Sequence, residues 1–344
     1  MNNRPNILLA DCAKEKVLPF ANELHINGEP FITKAYISNW KRTGVISEIR
    51  RYAKYFAVGI KYFLKRKQYD TIIGWQQFYA LIYCFCCSVF YVQKTNIVIA
   101  MNYTYKEKKG KFSAIYRWFM NKCMDPRYLD YIHVPSANYA DQIAKDFNFP
   151  RERIMVLTFG INDQYDRMSR LLPPEGYERE SYALAIGRSN RDYDFLIRAW
   201  ENVNFPLVII SDTYQGTTDA ENITILRNVA GVEADPWVAN CGLMIIPIDD
   251  GSICSGDTVL LTAMSLKRRI LATTPSTLAE MYIKDGENAV LCEKDEEKLR
   301  ETVAAMLESD RYAGLGEGAR RSFLENHSRQ SLGQKTAKIL NTKA

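Results

Sequence analysis

Short apolar, β-branched runs recur along the whole chain with helix-length segments between them, and this rhythm limits the possible folds more than any single motif. The first series is NILLA (6–10), PFITKAYI (30–37), YDTIIGW (69–75), TNIVIA (95–100), DYIHV (130–134) and RIMVL (153–157). The second is YALAIG (182–187), PLVIIS (206–211), NITIL (222–226), GLMIIP (242–247), RILAT (269–273) and NAVLC (288–292). Strands that alternate with helices form parallel sheets covered on both faces, so the pattern predicts an α/β protein with two Rossmann-like, doubly wound domains. Between the series lies a polar stretch, 162–181, holding Pro173, Pro174 and Gly176. It reads as a linker, which puts one domain at 1–172, a second at 173–325 and a final helix at 326–344 that can pack back on the first domain. Residues 295–341 read as three helices.

The 344 residues are 47% hydrophobic and 25% charged, which excludes disorder, collagen and coiled coil. Charge is unevenly divided. Residues 1–172 carry 26 basic and 14 acidic side chains, 26 − 14 = +12, and residues 173–344 carry 19 and 26, 19 − 26 = −7. The longest apolar run, Phe78 to Val92, has 15 residues, short of the roughly 18–20 that cross a bilayer, and reads as a buried helix. Eight cysteines lack framework spacing and the opening MNNRPNILLA has no apolar signal region, so a reducing cytoplasm is expected. His133 falls inside a strand and reads as a packed side chain; His25 and His327 read as surface residues.

Ligands of doubly wound sheets sit outside the carboxyl ends of the strands. That rule selects Trp75, Gln76, Asn102 and Tyr103 in the first half, on the acceptor side, and Gly187, Arg188, Ser211, Asp249, Asp250 and the segment 254–258 in the second. In IGRSNRD (186–192) a glycine ends a strand and two guanidinium groups, Arg188 and Arg191, follow, a pairing suited to a diphosphate. In DDGSICSGDTVLLTAMS (249–265), Ser255, Gly256 and Thr258 form a small turn leading into a helix, where exposed N–H groups attract phosphate oxygens. Glu280 lies on a short helix before the Asp285-Gly286 turn.

In this order, the segments from DYIHVPSANYADQIAKDFNFPRERIMVLTFGIN through GRSNRD, the AMS and ILAT helix–strand unit and DGENAVL resemble the GT-B glycosyltransferases, particularly the retaining family 4 (glycosyl transferases group 1). The likeness covers about residues 130–325 and implies two Rossmann-like domains facing a cleft. It implies that Gly187, Arg188 and Arg191 bind the donor diphosphate, Arg191 standing where lysine is more common. The family places two glutamates with seven residues between them in its next segment; here those positions are Cys254 and Thr262, which marks a variant branch lacking that pair. Thr262 then offers one ribose hydrogen bond, and Asp249 or Asp250 a displaced carboxylate. The family's glycine-rich loop after the first strand is absent, and so is its histidine after the fourth.

Residues 41–67 hold nine Lys/Arg and one Glu with five aromatics interleaved, and 103–124 hold six against one. Both read as basic amphipathic helices facing an anionic membrane, with no nucleic-acid motif beside them. Together these features predict a cytoplasmic enzyme, peripheral to the inner face of the plasma membrane. It would move a sugar from a nucleotide sugar, UDP-linked by preference, to a lipid-linked saccharide in capsular or other cell-surface glycan synthesis. The resemblance implies retention of configuration with no metal and no other cofactor. Two alternatives use the same fold: a silent nucleotide-binding scaffold, motivated by the missing glutamates, and an NAD-dependent dehydrogenase. The dehydrogenase needs GxGxxG after the first strand, and the only similar run, GLGEGA (314–319), reads as a helix break.

Overall fold

The computed structural model describes residues 4–37 and 44–343. The chain divides into two compact units, one of residues 1–159 with 329–344 and one of residues 160–328.

In the first unit the elements run β1 (Asn6–Ala10), α1 (Lys14–Ala21), β2 (His25–Ile26), β3 (Glu29–Ala35), α2 (Val45–Leu64), β4 (Thr71–Gly74), α3 (Gln77–Phe90), β5 (Ile97–Ala100), α4 (Ser113–Cys123), β6 (Tyr131–Val134), α5 (Ala137–Phe147) and β7 (Ile154–Val156). Among the described residues the sheet has seven strands in the order β2-β3-β1-β4-β5-β6-β7, parallel except for the β2–β3 pair. Strands β1, β4, β5 and β6 are largely buried because helices cover both faces, which is why they read as unbroken apolar runs, whereas β3 is mostly exposed. The apolar run beginning at Phe78 is α3, packed against Tyr55, Val58 and Tyr62 of α2 in the larger of two cores. Gly59 makes that packing possible: a Cβ there would stand 2.6 Å from Ile82 of α3.

The second unit continues with α6 (Tyr165–Met168), β8 (Ala183–Ile186), α7 (Tyr193–Trp200), β9 (Leu207–Ile210), β10 (Ile223–Leu226), α8 (Asp235–Asn240), β11 (Leu243–Ile246), α9 (Asp257–Ser265), β12 (Arg269–Thr274), α10 (Thr277–Tyr282), β13 (Val290–Glu293), α11 (Glu296–Glu308) and α12 (Leu315–Ser322). Its described strands form an all-parallel six-stranded sheet, β10-β9-β8-β11-β12-β13. Side chains cap several helices as their sequences direct: Asp192, Ser276 and Asp295 accept from the N–H three residues on. The last helix, α13 (Arg329–Lys343), packs on α1 in the first unit.

Four expectations from sequence differ from this structure. The division falls at Gly160 rather than at Pro173, because the polar stretch is fastened to the second unit: Asp163 pairs with Arg320 at 2.6 Å, Arg167 with Asp235 at 2.5 Å, and Met168 is buried. Gly314 to Ala319 is not a helix break. Gly316 and Gly318 lie within α12, and the absence of Cβ lets the helix press against the carbonyls of Lys267 and Glu287. His327 is buried with its ring 5.2 Å from that of Tyr282. Of the two basic segments, 45–64 is helical, whereas in 103–124 the helix begins only at Ser113, after Gly110 turns the chain at φ 93°. Lys41 and Arg42 lie outside the described residues.

Candidate active site

The second unit's candidate site is built where β8 and β11 end side by side. The loops leaving them are zipped together: the Asp192 N–H donates to Pro247 O at 2.9 Å, and Arg191 and Ile248 form a β-bridge. Asn190, held at φ 55°, donates through Nδ2 to the carbonyls of Asp250 (3.0 Å) and Ile253 (3.3 Å) and accepts from the Asp250 N–H at 2.7 Å. One side chain therefore sets the conformation of the segment leading into α9.

That clamp places Arg191 between two glycines. A Cβ on Gly187 would come within 3.0 Å of its Nε, and one on Gly256 within 2.5 Å of its Nη2. Gly256 also sits at φ +96°, a conformation that side chains disfavour, immediately before α9. Its Nη1 donates to Ser189 O (3.2 Å), Asn190 O (3.1 Å) and Ser255 Oγ (3.3 Å), while its buried Nε has no hydrogen-bond partner. Burial lowers the Arg191 pKa, against the opposing pull of Tyr193 and Asp257, and the guanidinium nevertheless stays charged. A largely desolvated cation beside a serine hydroxyl and the first turn of a nine-residue helix can attract an anion.

The other sequence-selected residues divide around this point. Arg188 points elsewhere: its Nε pairs with Asp212 at 2.9 Å beside the buried Ser211, whose Oγ lies 3.2 Å from Thr213 Oγ1. Thr258 and Thr262 lie on one face of α9, where Thr262 Oγ1 donates to Thr258 O at 2.7 Å; its lone pairs, and not its proton, are left for a ligand. Asp250 accepts from Ser252 N (2.9 Å) and Oγ (2.7 Å), bonds that lower its pKa.

Asp249 and Glu280 line a cavity of about 470 Å³ outside the ends of β11 and β12, with Thr273, Thr274, Thr277 and Lys294. Lys294 bonds Asp192 at 2.6 Å and Asp249 at 3.5 Å. Its pKa rises, since these carboxylates outweigh its partial burial, and the Asp192 pKa falls because the same bond outweighs burial there. Lys294 and Asn190 were not singled out from sequence. Asn190 had a signal, because asparagine is the residue after glycine most at ease at positive φ. Lys294, two residues beyond the NAVLC strand, had none.

In the first unit the strand-end residues are spent on scaffold. Gln76 caps α3 through Oε1 to the Phe78 N–H (3.1 Å) and donates to Asp11 (3.3 Å) and Tyr55 (3.1 Å). Asn102, at φ 53°, donates to Trp75 O at 3.3 Å. Tyr103, expected on the acceptor side, is fully buried in the core. His133 is packed: Nδ1 accepts from the Asn102 N–H at 3.1 Å and Nε2 donates to Leu157 O at 2.9 Å, and burial lowers its pKa to about 4. Arg329, from α13, lies 5.3 Å over the Trp75 ring.

Two α/β units, one on a largely parallel sheet and one on an all-parallel sheet, give this chain the GT-B fold of known glycosyltransferase structures. Residues 180–309 match the family Glycosyl transferases group 1. Among solved structures, a glycosyltransferase from Rickettsia africae is similar at TM-score 0.63 and 12% identity, covering 99% of each chain. HepE from Anabaena, solved in complex with UDP, follows at 0.61 and 11%, covering 98% of this chain and all of that one. WaaG, a glycosyltransferase of lipopolysaccharide biosynthesis, is similar at 0.57 and 14%, covering 97% and 99%. No curated protein matches in sequence.

Proposed function

We propose that this glycosyltransferase uses a nucleoside-diphosphate sugar, UDP-linked by preference, and transfers the sugar to a lipid-linked saccharide with retention of configuration and without a metal. The observation that carries the donor half is the Arg191 guanidinium, held between Gly187 and Gly256 and bonded to Ser255 Oγ at the start of α9. In this reading the cradle takes the diphosphate, and charge developing on the leaving oxygen is met by a cation and helix N–H groups already in place. Asp249, Glu280 and Lys294 line the neighbouring cavity, where polar groups would meet the sugar hydroxyls. Arg188 turns from Asp212 to the donor, and Ser211 and Thr262 approach the nucleoside. Trp75, Gln76 and Asn102 shape the acceptor loops. The UDP found with HepE supports uridine over the other bases.

The acceptor half rests on the first unit's surface. Ile49, Tyr52, Phe56, Ile60 and Leu64 recur at helical spacing along α2 and are at least partly exposed, beside the stripe that packs inward. Arg50, Arg51, Lys54 and Lys61 flank them. Such a helix lies in an anionic membrane interface, each basic group contributing about 1 kcal/mol there. Among the described residues no helix is long and apolar enough to cross the membrane. The reading is of peripheral attachment at the cytoplasmic leaflet, for capsular or other cell-surface glycans.

A thermal-shift panel of UDP, GDP, ADP, CMP and NAD tests the donor. At one hundred times its dissociation constant the true nucleotide stabilises by about 2.7 kcal/mol, and UDP is expected to do so. Stabilisation by NAD alone would return the dehydrogenase, and UDP binding without transfer to any lipid-linked acceptor would leave the silent scaffold.

A further inference from the structure

Beside the exposed stripe of α2 the first unit carries a cavity of about 480 Å³, within the roughly 300–1,000 Å³ of ligand pockets. Its walls are Tyr52 and Phe56 of α2, Phe78 and Phe85 of α3, and Trp118 and Phe119 of α4. The rings brace one another: Phe85 lies 4.9 Å from Phe119 and 5.7 Å from Trp118, and Phe56 5.8 Å from Phe119. The floor is therefore fixed by aromatic packing. At the mouth, Phe112 is 76% exposed, Ile115 62% and Trp118 51%, with Lys108 as the one charged lining residue. So many apolar side chains left in water around one concavity mark a binding surface.

Charge selects the occupant. The segment entering α4 carries Lys106, Lys108, Lys109 and Lys111 against Glu107. A second copy docked through this face about a two-fold axis would set basic surface against basic surface. An anionic amphiphile satisfies both parts of the site, with its chain among the rings and its headgroup at the lysines. We propose that this cavity holds the hydrocarbon chain of an anionic membrane lipid, seating one lipid individually where the stripe of α2 only rests on the bilayer. The proposal deepens the membrane reading given above and is independent of the donor site.

The test titrates the full chain by calorimetry with dodecyl phosphate below its micelle concentration, with octyl phosphate and inorganic phosphate as comparisons. Dodecyl phosphate is expected to saturate one site, and octyl phosphate, with four fewer methylenes to bury, to bind at least about tenfold more weakly. The double variant Phe112→Gln, Ile115→Gln puts amides at the cavity mouth from exposed positions. It is expected to weaken dodecyl phosphate at least about tenfold with its melting temperature and UDP response kept. Lys108→Glu with Lys109→Glu is expected to reduce flotation with phosphatidylcholine vesicles containing phosphatidylglycerol. Equal binding of inorganic and dodecyl phosphate would overturn the proposal in favour of a bare anion site. Unchanged dodecyl phosphate affinity in the double variant would show the cavity to be unused. A dimer that the double variant abolishes, with no alkyl phosphate bound, would make a second copy the occupant. Dodecyl phosphate binding in a protein indifferent to UDP would leave this site standing and remove the donor reading.

Discussion

Replacing Arg191 by alanine separates a phosphate-binding arginine from a merely structural one. The guanidinium makes three bonds inward, to Ser189 O, Asn190 O and Ser255 Oγ, and keeps Nε free. If the guanidinium meets a diphosphate, alanine removes at least one charge-assisted bond, about 1.5–3 kcal/mol. At 1.4 kcal/mol per decade that is roughly a 10- to 150-fold weaker dissociation constant for UDP. Uridine, which lacks the phosphates, is the internal control and is expected to change less than about threefold, below 0.7 kcal/mol. Arg191→Lys should recover part of the affinity, because it restores charge without the planar fork. Calorimetry of UDP and uridine on the three proteins reads all of this. An equal loss for both ligands would show that Arg191 only holds the 189–191 turn, and no loss for either would place the diphosphate elsewhere.

Asn190→Ala removes three side-chain bonds from the loop clamp and should cost about 1–2 kcal/mol of stability, read as a lower urea midpoint together with weaker UDP binding. Gly318→Ala drives a methyl into the Glu287 carbonyl and should cost about 1–3 kcal/mol by thermal unfolding, whereas Gly314→Ala, with open space around it, should change little. His133 has a folded pKa of about 4, below its ordinary value of 6.5, so the unfolded chain binds the proton more readily. Its contribution is complete above pH 6.5 and is lost as pH falls toward 4, on the order of 3 kcal/mol in all. His133→Gln should flatten stability over that interval relative to the unaltered protein, and parallel pH curves for the two would refute it.

The fold was legible because its signal is distributed. A parallel strand buried on both faces must be apolar at every position, so NILLA, PLVIIS and GLMIIP announce themselves without partners. The turn chemistry at Asp192, Ser276 and Asp295 was equally local. What stayed hidden depends on contacts between distant segments. Nothing near Gly316 and Gly318 indicates that Lys267 and Glu287 will approach from elsewhere, so three glycines within five residues read as a break. Ten residues ahead of α4 share its composition, and only the backbone turn at Gly110 separates them from the helix.

The anion cradle shows the same division inside one motif. Glycine, arginine and a second arginine could be read in IGRSNRD, and the natural inference was two guanidinium groups presented together with a glycine left bare for the ligand. The structure assigns the parts differently. Arg188 is exposed and held by Asp212, while Gly187 and Gly256, 69 residues apart, are both bare for Arg191. The glycines thus make room for a protein side chain before any ligand arrives. A guanidinium already desolvated and fixed by three bonds loses little freedom on binding, so more of each contact with a phosphate appears as affinity. In this chain Cys254 and Thr262 stand where two carboxylates were expected, so the proposed donor recognition would rest on a positioned cation and helix N–H groups, and the carboxylates nearest to hand are Asp249 and Glu280 in the adjoining cavity.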